Sequence, residues 1–255
     1  MKKVIAFDLD GTLAPTKSHF TDRMVDMFNR LLESYDVCVI SGGKYELFQR
    51  QFLAQITTDP ALLRKLHLMP TSGTRYYRFE NSQWVEKYAE NIDPEDRLRI
   101  AAALEEGYAE AGYSLDNTYG KIVEDRESQV SLSTLGQEVV AELGEEGIKL
   151  KEEWDPDGSK KKALVALIAP KIPDFEVRAA GFTTIDVTKR GIDKAYGMNK
   201  LMEATGFFKE DILFMGDSLS PGGNDYAVAA MGVDCIAVRS WEDTAYAIEG
   251  IVGVS

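Results

Sequence analysis

Both ends of this chain alternate short apolar runs with amphipathic stretches, whereas its middle does not. KKVIAF (2–7) is a strand-like run that stops at a Gly-containing turn. Thr21 then caps a stretch in which Met24, Met27, Phe28, Leu31, Leu32 and Tyr35 recur at helical spacing. VCVIS (37–41) reads as a second buried strand, followed by Gly42-Gly43 and a helical stretch through Phe48, Phe52 and Leu53. The tail returns to the same alternation. KAYGMNKLMEATG closes on Gly206, and ILFMG and DCIAV follow as strands with helices around them. Strands alternating with helices imply parallel βαβ units. The middle instead begins with a hairpin pattern, TRYYRFENSQWVEKY, turning at Glu80-Asn81-Ser82. Asp93-Pro94-Glu95-Asp96 is a helix start, with a cap, proline in the first turn and acids behind it. KIVED, QVSLSTL, a helical stretch near 160–170, FEVRAA and TTIDV complete an antiparallel α+β pattern. The expected architecture is α/β: a doubly wound, Rossmann-like parallel-sheet domain from 1–84 and 190–255, with an inserted α+β domain at 85–189.

A chain of 255 residues, 44% hydrophobic, can bury a sizeable core. Its formal charge of −13 argues against a broad nucleic-acid face, which needs excess Lys and Arg, but not against a local basic pocket. Cys38 and Cys235 lie in apolar strand-like runs without metal-ligand spacing and read as reduced thiols. The apolar run after Lys2-Lys3 is too short for a secretion signal, and no stretch approaches the ~18 residues needed to span a membrane. The expectation is a soluble cytoplasmic protein without nucleic-acid or membrane partners, monomeric or homodimeric.

Chemistry gathers where strands end. The first strand runs into Asp8-Leu9-Asp10-Gly11-Thr12, two carboxylates one residue apart, where open α/β sheets place ligands. Such a pair could hold a hard cation and attack phosphorus, or be a solvated Asp-Gly turn. Ser41 and the amides of Gly42 and Gly43 end the second strand and suit phosphoryl oxygens. In GDSLSPGGND, Asp217 ends a third, and Asn224 and Asp225 follow a Pro-Gly-Gly turn. Lys194, opening a helix, could supply positive charge to a transferring phosphoryl group. Taken singly, Ser41 reads as a turn residue and Lys194 as a solvated one; together, in this order, the four features point to one site. His19 and His67 have no partner spacing for a metal, and Trp84, Trp154 and Trp241 read as packing or surface residues.

FDLDGTL, the Ser41 strand end, Lys194 and GDSLSPGGND resemble the four motifs of the haloacid dehalogenase-like (HAD) superfamily, and the insertion resembles its type IIB cap. FDLDGTLAP, SGGKYE, IDVTKRGIDK and the long fourth motif are similar to those of eukaryotic-type phosphomannomutases. The resemblance implies Asp8 as nucleophile, forming an aspartyl-phosphate, and Asp10 as general acid/base. It implies Mg²⁺ held by Asp8, the Asp10 carbonyl and Asp217, with Asn224 or Asp225 close by, and a phosphoryl group bound by Ser41 and Lys194. Thr184 and Asp186 match sugar-contacting positions, and Lys17 stands where that family has an arginine. Of three arginines that clamp a distal phosphate in phosphomannomutases, the chain keeps Arg126 and has Gln137 and Gly144 at the other two. Guanidinium forks are the usual grip on a dianionic phosphate. The leading expectation is therefore a Mg²⁺-dependent phosphatase of a small phosphorylated metabolite, a sugar phosphate. The alternative is a phosphomannomutase-like phosphotransferase. A phospho-acceptor signalling module, which also uses Asp, a hydroxyl and Lys, fails on length, on the insertion and on Asp10.

Overall fold

The computed structural model describes residues 2–253. Two compact units divide the chain: one runs up to Ala89 and resumes at Asp193, and the other is Glu90–Ile192.

The first unit is built on a seven-stranded sheet in the order β11-β10-β1-β2-β3-β4-β5. Its parallel strands are β1 (Val4–Phe7), β2 (Asp36–Ile40), β3 (Leu66–Met69), β10 (Ile212–Gly216) and β11 (Asp234–Ala237). The hairpin of β4 (Arg75–Glu80) and β5 (Gln83–Ala89) joins antiparallel at the β3 edge. Side chains alternate across the sheet, and the sequence fills both faces with apolar residues. Ile5, Phe7, Val37 and Val39 face one core with α1 (Asp22–Ser34), Phe48, Phe52 and α10 (Trp241–Gly253). Val4, Ala6, Cys38 and Ile40 face a second core with α8 (Lys194–Thr205) and α9 (Tyr226–Ala230). The unit is thus doubly wound. Two short helices, α2 (Tyr45–Phe48) and α3 (Pro60–Leu63), lie between β2 and β3, and α2 runs on as a π-helical turn, Gln49–Leu53.

The second unit has a four-stranded antiparallel sheet in the order β6-β7-β9-β8, from Val123–Asp125, Val130–Ser133, Thr184–Lys189 and Phe175–Ala180 respectively. Val130, Leu132, Ile185 and Val187 bury against α4 (Pro94–Glu110) and α7 (Ser159–Ile168). Two further helices, α5 (Val139–Leu143) and α6 (Glu145–Trp154), meet at Gly144. Glu145, Glu146, Glu152 and Glu153 lie in α6.

The boundaries fall at 89/90 and 192/193 rather than at the expected 84/85 and 189/190. The reason is hydrogen bonding: β5 extends to Ala89 while paired with β4, and beyond β9 the turn to Ile192 bonds back to that strand, Ile192 N–H donating to the Lys189 carbonyl (3.4 Å). The first sheet is correspondingly mixed rather than wholly parallel. Cys38 and Cys235 are free thiols, Cys38 buried, and burial raises the proton affinity of both. Among the described residues no helix is long and apolar enough to cross a membrane.

Candidate active site

β1, β10 and β2 are neighbours in register, Phe7 standing beside Met215 and Val39, so their carboxyl ends open at one level. Asp8 emerges directly beyond β1, its N–H donating to the Met215 carbonyl (3.0 Å), and Asp217 follows β10. Ser41 follows β2, its N–H donating to the Met69 carbonyl (3.2 Å), and its hydroxyl accepts from Gly43 N–H (3.2 Å). Gly42 and Gly43 form the half-buried bend beyond it.

Lys194 is the first residue of α8, whose N-cap Asp193 accepts from Tyr196 N–H (2.9 Å). A close backbone approach aims that helix. A Cβ on Gly73, where φ is +82°, would stand 2.5 Å from the Gly197 Cα. Glycine at both positions lets α8 sit tight against the turn after β3. The result is a buried ammonium: Lys194 Nζ lies 2.6 Å from Asp8 Oδ1 and 2.5 Å from Asp225 Oδ1. Asp225 is fully buried, and its Oδ2 accepts from Ser218 N–H (3.1 Å).

Asp8, Asp217 and Asp225 can each offer an oxygen within 4.8 Å of the others. Burial raises the proton affinity of Asp8, opposed by Lys194 and reinforced by Asp225 and Asp217, and the outcome lies well above the ordinary carboxylate range. Asp217 reaches solvent, yet the protein packed around its carboxyl and the charge of Asp225 raise it too. For Lys194, burial favours the neutral amine, but Asp225 and Asp8 outweigh it and the group is held charged. One buried cation thus faces three carboxylates, leaving a surplus of negative charge. A hard divalent cation fits that surplus and donor set. The donors also leave room: Gly11 has φ +81°, and a Cβ there would come within 2.7 Å of Asp217 Oδ2.

Asp10 is half-buried, and its Oδ1 accepts from Lys17 N–H (2.6 Å) and from Gln51 Nε2 (3.1 Å). Lys17 contributes through its backbone, held at φ +54°, in the loop that carries Asp10. Asn224 lies half-buried in the turn before Asp225. The candidate residues of the second unit are held locally. Arg126 Nε pairs with Glu124 at 2.8 Å, and Gln137 Nε2 donates to the Ile122 carbonyl (3.3 Å). Gly144, at φ +59°, joins α5 to α6. Thr184 opens β9, and Asp186 in the same strand accepts from the Ser131 hydroxyl (2.6 Å).

Gln51, Gly73 and Gly197 escape a reading of the sequence. The available signal for Gln51 is a polar residue inside the apolar stripe of Phe48 and Phe52; a close approach between distant glycines leaves none.

The family model of the haloacid dehalogenase-like hydrolases matches residues 5–227. The chain belongs to that family. Phosphomannomutase of Schizosaccharomyces pombe is 21% identical over 229 residues, 89% of this chain and 85% of that protein. Phosphomannomutase 1 of Mus musculus is 24% identical over 231 residues, 88% and 82% of the two chains. Among solved structures, an IMP-bound mutant of Plasmodium falciparum IMP-nucleotidase aligns with a TM-score of 0.69 at 15% identity, covering 100% of this chain and 67% of that one. A haloacid dehalogenase-like hydrolase from Bacteroides thetaiotaomicron aligns at 0.60 and 16% identity, covering 98% and 100%. These structural likenesses establish the fold. Family and relatives together define an enzyme of the HAD class with phosphatase or phosphomannomutase-like activity.

Proposed function

We propose that the protein hydrolyses a small phosphorylated metabolite, a sugar phosphate, through an aspartyl-phosphate on Asp8. The observation that carries this reading is the buried Lys194 ammonium 2.6 Å from Asp8 and 2.5 Å from Asp225 at the strand ends. An Asp8 oxygen attacks phosphorus, and the ester oxygen departs with a proton from Asp10. Asp10 then takes a proton from the water that attacks the aspartyl-phosphate, and the Asp8–phosphorus bond breaks to release phosphate. Lys194, the Ser41 hydroxyl and the amide of Gly42 hold the phosphoryl oxygens, and the Gly43 amide steadies the Ser41 hydroxyl. Mg²⁺, when bound, would neutralise the charge that otherwise keeps a phosphate dianion from a carboxylate. Asp8, Asp217 and the Asp10 carbonyl would hold it, with Asn224 beside them. Asp225 serves it indirectly, because its two oxygens accept from Lys194 and from Ser218 N–H.

The phosphomannomutase relatives favour a second reading, in which the phosphoryl group returns to the sugar. Hydrolysis is preferred because the matched clamp positions offer little to a second phosphate. Arg126 is paired with Glu124, Gln137 is neutral and bonded to backbone, and Gly144 has no side chain. Thr184 and Asp186 remain the candidates for sugar hydroxyls. Phosphorus NMR with mannose 1-phosphate and a trace of hexose 1,6-bisphosphate separates the two. Inorganic phosphate outrunning mannose 6-phosphate supports hydrolysis; the reverse establishes the mutase. A screen of sugar phosphates with and without Mg²⁺ defines the substrate.

A further inference from the structure

The side chain of Gln51 is completely buried although it ends in an amide; its Oε1 finds no hydrogen-bond partner among the described residues, whereas its Nε2 finds two. Its Nε2 donates to Asp10 Oδ1 (3.1 Å) and to the Ser18 carbonyl (3.0 Å). Those two acceptors fix the orientation of the amide, since exchanging N and O would set Oε1 against a carboxylate and a carbonyl. Lys17 N–H reaches the same Asp10 oxygen at 2.6 Å, so two donors from different segments converge on Oδ1.

The surroundings make this a rigid mount. Gln51 sits in the π-helical turn Gln49–Leu53, where Ala54 N–H bonds back to the Gln49 carbonyl (3.3 Å). Phe20 N–H donates to the Gln51 carbonyl (3.0 Å) and to Gln55 Oε1 (3.2 Å). The Phe20 ring stacks on Phe52 at 5.0 Å between centroids. The loop that follows Asp10 is thus strapped to this turn at Ser18 and at Phe20, and the strap runs through Gln51. π-Helical turns recur at functional sites, because the extra residue re-aims a side chain.

We propose that Gln51 is a positioning residue for Asp10. Its amide, together with Lys17 N–H, holds Oδ1 and turns Oδ2 toward the oxygen that leaves or attacks phosphorus. The proposal rests on the aspartyl-phosphate reading above. In that reaction the proton passes from Asp10 Oδ2 to the ester oxygen as the P–O bond breaks, and returns to Oδ2 from the attacking water. Gln51 never touches substrate.

Gln51→Met keeps the shape and removes both donors. Leaving groups supply a readout that a general structural defect would not move, because p-nitrophenolate departs without a proton and an alkoxide does not. With wild type active and Asp8→Asn inactive on both esters, kcat/KM of Gln51→Met, which reports aspartyl-phosphate formation and not its hydrolysis, should fall about 10–100-fold on an alkyl phosphate. On p-nitrophenyl phosphate kcat/KM should fall less than threefold. Equal losses of kcat/KM on the two esters, or no loss on either, would overturn the proposal. Inactive wild type would instead reject the underlying reaction. A thermal melt checks that the variant folds. If it does not, NMR of the Gln51 side-chain amide in the otherwise unaltered chain and in Asp10→Asn decides the matter. A downfield amide proton that moves on substitution supports the contact, and an unmoved one overturns it.

Discussion

Two polar surfaces of this protein are built on sheets, and they handle buried polarity in opposite ways. At the ends of β1 and β10, one ammonium faces three carboxylates, so the site holds more negative charge than its own partners neutralise. On the second sheet, β7 and β9 put Ser131 opposite Asp186, and a chain of hydrogen bonds runs from Gln129 Nε2 to Ser131 Oγ (2.9 Å) and on to Asp186 Oδ1 (2.6 Å). There a hydroxyl donates to the carboxylate and an amide donates to that hydroxyl. The first arrangement stores repulsion that a cation can relieve, whereas the second holds its shape unaided. Charge left unbalanced marks reactive chemistry, and charge closed off by hydroxyl and amide marks a rigid surface.

The contrast breaks most sharply at Asp8. Asp8→Asn keeps the shape and removes the attacking charge, so phosphate release should fall by roughly 10⁴-fold or more in a steady-state assay. The same substitution should stabilise the metal-free protein at neutral pH, because it removes one of the mutually repelling carboxylates. The sign follows from proton binding. Asp8 and Asp217 hold protons more tightly folded than unfolded, so stability falls as pH rises from about 4 toward neutrality. The raised Lys194 is charged in both states across that range and adds no slope there. His67, whose burial lowers its proton affinity, adds the opposite slope below about pH 6.5. Melts of the metal-free chain should therefore lose more, or gain less, between acid and neutral pH than melts of Asp8→Asn. Mg²⁺ should raise the melting temperature more at neutral pH than in acid. Identical profiles for the two chains would mean that the acidic cluster is not under repulsion.

Lys194→Met sharpens the comparison from the other side. It leaves Asp8 and Asp225 buried without their cation, and breaking such a pair costs about 3–5 kcal/mol in denaturant unfolding. The smallest effect belongs to the second sheet. Ser131→Ala takes the hydroxyl from Asp186 and should cost about 1–3 kcal/mol. A loss as large as that of Lys194→Met would erase the distinction between the two surfaces.

Much of the site is legible in the chain because its residues lie at ends of short apolar runs. VIAF followed by Asp8, VCVI followed by Ser41 and ILFMG followed by Asp217 need only strand pattern and a turn. Parallel pairing then brings those ends together whatever the loops do. The hairpin is legible too, but its allegiance is not. TRYYRFENSQWVEKY specifies two strands, and only pairing of β4 with β3 assigns them to the first sheet.

What the sequence determined by itself was local: periodicity, turns, and the order of acids, hydroxyl and lysine along the chain. The tertiary structure alone decided that Asp225 grips Lys194 with one oxygen and Ser218 N–H with the other. It alone set Gly73 against Gly197, and brought Gln51 to Asp10 across 41 positions of sequence. The physical reason is range. Strand and helix patterns are fixed by neighbours a few residues away, while a buried hydrogen bond or a missing Cβ acquires meaning only when distant segments pack to within a few ångströms.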